Sequence, residues 1–405
     1  MASNPPFVPR GGQPGSANPG ARLRRSHRSE LAIWWREVDR WLLFMILALM
    51  VIGTAAVAAA SPASARRLST AAVRLDDLHF LYIHMRWQFV GLVTMLVASL
   101  LPKDVARRVG ILLGFAMLIG LLLVPVFGST VNGARRWLSL GMSLQPSEFL
   151  KPAYAIGLAW ILSWRVRDPN LPVVELATGV MGMVAVLLMA QPDFGSVILF
   201  CGVWFVLVLL SGISVRRIAL AGAGGIGVVI GAYLFYGNAR NRIDSFIGGG
   251  SAFDQVDLAQ KTLLAGGWSG SGLWLGTRKL ALPEAHTDYI FSVIGEEFGL
   301  LICAVIVLLY LAIMVRVLLR LVEEEDLFTV LAATGLAAQL GGQAFINILV
   351  NLQLFPSKGM TLPLISYGGS STIALCLGVG FLLAITRRNP FLQRDPFSLP
   401  GKQEA

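Results

Sequence analysis

Long apolar runs separated by short polar breaks dominate the chain from residue 41 onward. The first, "WLLFMILALMVIGTAAVAAA" at 41–60, carries no charged side chain. At 1.5 Å of rise per residue such a run matches a hydrocarbon core of about 30 Å. Comparable runs centre near 81–100, 109–127, 149–164, 172–190, 195–211, 216–236, 290–318, 328–352 and 361–386. The pattern predicts an all-α, polytopic membrane protein of about ten transmembrane helices, with no strand needed anywhere. The longest polar break inside this region, 237–289, predicts a large loop between helices 7 and 8. Residues 1–40, rich in Gly, Pro, Ser and Arg without an apolar core, read as a disordered cytoplasmic tail, and 389–405 as a second tail. The membrane domain is then 41–388.

Composition agrees with this reading. The chain is 55% hydrophobic and 14% charged, with a mean hydropathy of +0.69, against about 25% charged residues in soluble domains. Its net charge of +10 does not point to nucleic acid, because the cations sit in short loops between spans. With the N-terminus inside, 20 Lys and Arg fall on the cytoplasmic side and 11 on the outer side. Both termini are therefore expected in the cytoplasm. Cys201, Cys303 and Cys376 lie far apart within apolar runs, so neither a disulfide framework nor a thiolate metal site is expected.

On this topology the polar clusters gather on the outer side. "NGARRWLSLG" (132–141) sets Arg135 and Arg136 beside Trp137, which suits either snorkelling to lipid phosphates or an anionic ligand. "QPSEFLKP" (145–152) offers Ser147 as a cap and places Glu148 and Lys151 three residues apart on one helix face. That pair is as consistent with a brace as with a functional site. In "QPDFGS" (191–196), Asp193 suits the cap of the next helix. In "NLQLFPSKGMTLPLISYGGSS" (351–371), Pro356, Gly359, Pro363, Gly368 and Gly369 break the helix at membrane depth beside Lys358. Irregular backbone there is tolerated only against a cavity or within protein. In "LPEAHTDYIFSVIGEEFGLL" (282–301), Asp288 reads as a carboxylate in the first turn of a helix. A rotation of 100° per residue puts Ser292, Gly295 and Gly299 on its face and Glu297 opposite. This predicts a groove of small residues beside the carboxylate. A plain cap is the simpler role for Asp288, and His286 lacks a second ligand at metal-binding spacing.

These stretches, with "ARNRIDSF" (239–246), occur in the order found in the SEDS family (shape, elongation, division and sporulation), and the chain resembles that family over about 40–390. "PSKGMTLP" resembles its division branch. Two positions depart from the pattern: Tyr289 stands where Phe is usual, and Trp274 where "GGWSGSGLWLG" should carry a third loop glycine.

The resemblance implies a ten-helix glycosyltransferase that polymerises lipid II at the outer face of the cytoplasmic membrane, in septal wall synthesis. The family's essential aspartate falls on Asp288. An inverting reaction with a diphosphate leaving group needs one base and several cations, not the paired carboxylates of a glycosidase. Asp288 is the expected base. Arg135, Arg136, Arg240, Arg242 and Lys358 are the expected diphosphate ligands, with Glu148, Lys151, Ser292 and Gly295 as further substrate contacts. A divalent cation, Mg2+ or Mn2+, is the expected companion of the diphosphate, with no nucleotide or organic cofactor. The resemblance also implies a class B penicillin-binding transpeptidase and other division proteins as partners. A lipid II flippase and a non-catalytic division scaffold are the competing readings.

Overall fold

The computed structural model describes residues 31–70, 73–131, 134–139, 143–212, 251–356 and 359–388, with scattered positions between 223 and 244. Most of the window 216–236, Arg242, Lys358 and most of both tails lie outside the described residues. The chain divides into two units, Asp39–Arg387 and the two terminal stretches. In the terminal unit residues 31–37 are helical, and the Arg388 amide donates to the Glu37 carbonyl at 3.4 Å.

The larger unit is built from helices α1 (Arg40–Leu68), α2 (His79–Ser99), α3 (Lys103–Phe127), α4 (Pro146–Ser163), α5 (Val173–Ala190) and α6 (Phe194–Leu210). They are followed by α7 (Ser251–Ala265), α8 (Ile290–Leu321), α9 (Leu327–Asn351) and α10 (Ser370–Ile385). Among the described residues six helices are long and apolar enough to cross a membrane: α1, α2, α3, α5, α8 and α9. α6 and α10 are shorter apolar helices. Phe89, Leu112, Val186 and Leu319 are each more than 60% exposed, so these helices turn large apolar side chains outward, as lipid requires. The protein is a multi-pass membrane protein.

α4 is largely buried and packs between α3 and α9. Its first turn is set by Pro146 at the N-terminus; Gln145 holds the cap position, and Ser147, the expected cap, does not fill it. α10 lies along α2. At the opposite end of the bundle Asp39 caps α1 and receives Arg316 Nε at 2.7 Å and Arg320 Nε at 2.8 Å, tying α1 to the end of α8. Burial works to raise the Asp39 carboxyl, but the Arg316 hydrogen bond, the Leu42 amide and the two guanidinium charges together hold it below the usual carboxylate range.

Four features differ from the sequence expectations. First, the chain is not purely helical. β1 (Ser129–Val131), β2 (Ala134–Ser139) and β3 (Ser143–Leu144) form a small antiparallel sheet in the order β1-β2-β3, between α3 and α4. The "ARRWLS" stretch is a strand because its partners on both sides satisfy its backbone outside the helical bundle. Second, the long loop expected over 237–289 contains α7, which packs against α8. Third, α10 begins at Ser370 and not at 361, where the expected span starts; the irregular backbone of 361–369 is the break that its prolines and glycines predict. Fourth, α8 is broken at Gly299, where φ is 85° and ψ 169°. The break is closed by the glycine-rich loop: Leu300 N donates to Gly267 O at 2.9 Å, and Ser271 N to Glu296 O at 2.8 Å. A Cβ on Gly299 would sit 2.3 Å from Trp268 O, so the approach requires glycine as well as the positive φ. Glu296 and Glu297 complete this clamp. Glu296 accepts the Arg278 and Lys279 amides at 2.7 and 2.9 Å, and buried Glu297 accepts Gly276 N, Trp274 N and the Lys279 ammonium. Both carboxylates, conspicuous in the sequence, hold the loop to the helix.

Candidate active site

Asp288 lies in a turn just before α8, not in its first helical turn, which begins at Ile290. That turn is held by its own backbone carbonyls. The Tyr367 amide donates to His286 O at 2.9 Å and Ser366 Oγ to Thr287 O at 2.6 Å. Asn347 and Asn351 of α9 donate to Asp288 O at 2.8 and 3.2 Å. Three consecutive carbonyls are thus anchored to the 359–369 segment and to α9. The turn presents its half-buried carboxyl to a cavity of about 600 Å³. Gly359 stands across from it, where a Cβ would lie 3.5 Å from Asp288 Oδ2.

The cavity is lined by the starts of α4, α6 and α10, by β2 and by the 284–288 and 359–361 stretches. By alternation of the spans all of these belong to one end of the bundle, the end assigned to the outer side. Arg136, Trp137, Gln145, Glu148, Asp193, His286, Tyr367 and Ser370 contribute to its wall. His286 is buried against Phe80 and Tyr367, with ring centroids at 4.4 and 5.1 Å, and its Nδ1 lies 2.8 Å from Ser64 Oγ. Burial pushes its pKa down to about 4, against a smaller opposing pull from Glu284, so the imidazole is neutral near pH 7.

The arginine pair divides. Successive residues on a strand face opposite ways, and only Arg136 lines the cavity. Its Nε donates to Gln191 O at 3.1 Å and its Nη2 to Pro192 O, while Nη1 lies 3.9 Å from Asp193 Oδ1. Arg135 is exposed and turns instead to Thr130 Oγ1 at 3.2 Å and Pro125 O at 3.2 Å. It is therefore not a wall residue. Arg240 is exposed, 3.6 Å from Asp244 and stacked on Tyr233, and does not line the cavity either. Arg242 and Lys358 fall outside the described residues.

Glu148 and Lys151 do pair, at 2.6 Å, and both are buried. Lys151 reaches Gln343 Oε1 at 3.2 Å as well. Glu148 Oε2 is buried without a hydrogen-bond partner at the cavity wall. Asp193 caps α6 through the Ser196 amide (3.3 Å) and also faces the cavity.

The small-residue groove is not formed. Ser292 is fully buried and its hydroxyl donates to Asn351 Oδ1 at 2.7 Å. A Cβ on Gly295 would stand 2.3 Å from Leu263 Cδ1. The face is filled by α7, which the sequence did not predict, so Ser292 and Gly295 are packing residues rather than substrate contacts. Sequence reasoning also passed over Asn347 and Asn351, which read as stray polar positions in a span; their i, i+4 spacing with Gln343 was the available signal.

With this geometry in view, residues 40–390 match the family model of the FtsW/RodA/SpoVE cell cycle proteins. The chain is similar to the probable peptidoglycan glycosyltransferase FtsW of Caulobacter vibrioides, 33% identical over 378 residues, covering 93% of this chain and 96% of that one. The protein of the same name from Hahella chejuensis is 35% identical, with 86% and 90% covered. Among solved structures, one reported as "Structural coordination of polymerization and crosslinking by a peptidoglycan synthase complex" superposes with a TM-score of 0.69 at 28% identity, covering 86% of this chain and 97% of that one. The crystal structure of Thermus thermophilus rod shape determining protein RodA gives 0.63 at 27%, covering 88% and 99%.

Proposed function

The chain belongs to the FtsW/RodA/SpoVE family of cell cycle proteins and is a peptidoglycan glycosyltransferase, and on that premise we propose that it polymerises lipid II at the outer face of the cytoplasmic membrane, at the division septum, with both termini in the cytoplasm. The observation that carries this reading is the Asp288 carboxyl, anchored through three neighbouring carbonyls and turned into the 600 Å³ cavity. The acceptor's GlcNAc 4-hydroxyl gives its proton to Asp288 as its oxygen attacks the anomeric carbon of the donor. The bond from that carbon to the diphosphate breaks on the opposite face, so the linkage inverts from α to β. The leaving diphosphate departs as an anion and needs no acid. A positioned base of this kind is worth roughly 10²–10⁴ in rate.

Arg136 is the described cation best placed for the diphosphate. It lines the cavity, and a guanidinium 4 Å from a phosphate charge interacts by roughly 4 kcal/mol at an effective dielectric near 20, less what Asp193, 3.9 Å from its Nη1, offsets. The divalent cation has no cage ready: among the described residues no three His, Cys, Asp or Glu side chains come together as ligands. An Mg2+ or Mn2+ ion would arrive with the diphosphate and keep several waters, and no step above runs through it. By likeness to the synthase complex, a class B penicillin-binding transpeptidase is the partner that crosslinks the strands. Transport gains one observation, a second broken helix at Gly299. That break is closed by the 267–272 loop rather than opened to the cavity, which favours the enzyme.

The test is purified protein with its transpeptidase partner, fluorescent lipid II and Mg2+, wild type against Asp288→Asn. Polymer should fall at least about 10²-fold with membrane insertion unchanged. Wild-type polymerisation by Asp288→Asn would refute the assignment of the base.

A further inference from the structure

Three side chains on one face of α9, Gln343, Asn347 and Asn351, form a ladder of buried amides spaced four residues apart. The lowest rung, Gln343, receives the Lys151 ammonium at 3.2 Å and donates to Thr361 O at 3.0 Å. The middle rung, Asn347, uses its amide nitrogen on two carbonyls from different segments, Asp288 O at 2.8 Å and Met360 O at 2.6 Å. The top rung, Asn351, donates to Asp288 O at 3.2 Å and accepts from Ser292 N and Oγ at 3.2 and 2.7 Å. The turn bearing the carboxylate and the Gly359–Thr361 backbone facing it are therefore bridged by one planar group of fixed length. Nothing in the proton transfer itself requires these amides, which do not line the cavity.

We propose that Asn347 is a positioning residue for glycosyl transfer: its two N–H bonds set the separation between the Asp288 turn and the 359–361 wall, and so the place of the carboxylate over the acceptor hydroxyl. Gln343 extends the same control to the Glu148–Lys151 pair, which makes Lys151 a member of the scaffold rather than a phosphate ligand. The inference rests on the assignment of Asp288 as base. Two properties of the ladder support a positional role over a purely cohesive one. The rungs converge on backbone carbonyls of the site from a regular helix, the most rigid platform available. And a displacement of about 1 Å at a reacting group costs up to about 10²-fold in rate, so a group that fixes this distance governs turnover.

The discriminating variant is Asn347→Gln, which keeps both donors on an arm one methylene longer. Asn347→Ala, which removes the donor to Met360 O and leaves Asp288 O with the Asn351 amide, serves as the disruptive reference, and Asp288→Asn as the chemical one. Each is purified in the full-length protein with its transpeptidase partner and assayed for thermal unfolding and for lipid II polymerisation over a range of lipid II concentrations. The expected result is that Asn347→Gln melts close to wild type, holds KM within about twofold and loses roughly 10- to 100-fold in kcat. The inference is overturned if folded Asn347→Gln turns over at the wild-type rate while Asp288→Asn is dead. It is equally overturned if activity across the Asn347 variants simply follows the folded fraction, or if the loss lies in KM with kcat intact. An active Asp288→Asn would instead remove the base assignment on which it stands.

Discussion

Lys151→Met leaves the Glu148 carboxylate buried with neither of its oxygens paired, since Oε2 has no partner and Oε1 bonds only to the lysine. The side chains are 11% and 3% exposed and 2.6 Å apart, so solvent screening is slight. Removing one partner of such a pair costs roughly 3–5 kcal/mol, whereas replacing both by neutral groups of similar volume is often close to neutral. Glu148→Gln alone strands the ammonium, which keeps Gln343 but loses its counter-ion. The double variant Glu148→Gln with Lys151→Met should therefore melt above both single variants, with a coupling of roughly 0.5–3 kcal/mol. Thermal unfolding of detergent-purified protein reads the stability, and gel analysis of fluorescent lipid II products reads the activity. The two readouts separate the roles that the sequence left open. A brace predicts that the double variant regains both stability and polymerisation. A contact between Glu148 Oε2 and substrate predicts stability regained with polymerisation still lost. Strictly additive losses in stability would refute the reasoning, because they would mean that the two charges do not depend on each other.

Two further outcomes follow from the clamp on α8 and from the outer turn. Glu297→Ala strips acceptors from the Gly276 and Trp274 amides and the counter-ion from buried Lys279. It should cost roughly 3–5 kcal/mol and expose the 266–280 loop to limited proteolysis; unchanged melting and cleavage would contradict the clamp. For His286 the folded pKa of about 4 lies below its ordinary 6.5. The unfolded chain therefore binds the extra proton first, and stability contributed by the neutral ring is complete above pH 6.5 and lost as pH falls towards 4. His286→Phe should flatten the melting temperature over that window, and an unaltered slope would show that another group titrates there.

How much was legible in advance depends on which solvent imposes the rule. Lipid cannot hydrogen-bond a backbone, so spans must be helical and of membrane length, and that constraint is local in the chain. The apolar windows outside 216–236 each meet a described helix. Alternation of the spans then put the polar clusters at one end, where the cavity lies. The motif order, including "LPEAHTDYIFSVIGEEFG", brought Asp288 forward as the residue to test.

The rest depended on long-range partners. Arg135 and Arg136 are adjacent in sequence, and only the pairing of β1 with β2 decides that Arg136 meets the cavity while Arg135 turns away. Gly295 and Gly299 read as an open groove until α7 and the 267–272 loop fill it. Glu297 is structural, as its place opposite Asp288 suggests, but that it and Glu296 accept the amides of a distant loop is visible only in the fold. Asn347 carries no charge and no motif, yet it joins two segments of the site. Apolar periodicity is written residue by residue, whereas the direction of a side chain and the identity of its partner are set by elements tens to hundreds of residues away. The sequence alone determined where the chain crosses lipid and at which end its polar groups collect; only the packing of α4, α7, α9 and the outer turns decided which of those groups face a common space.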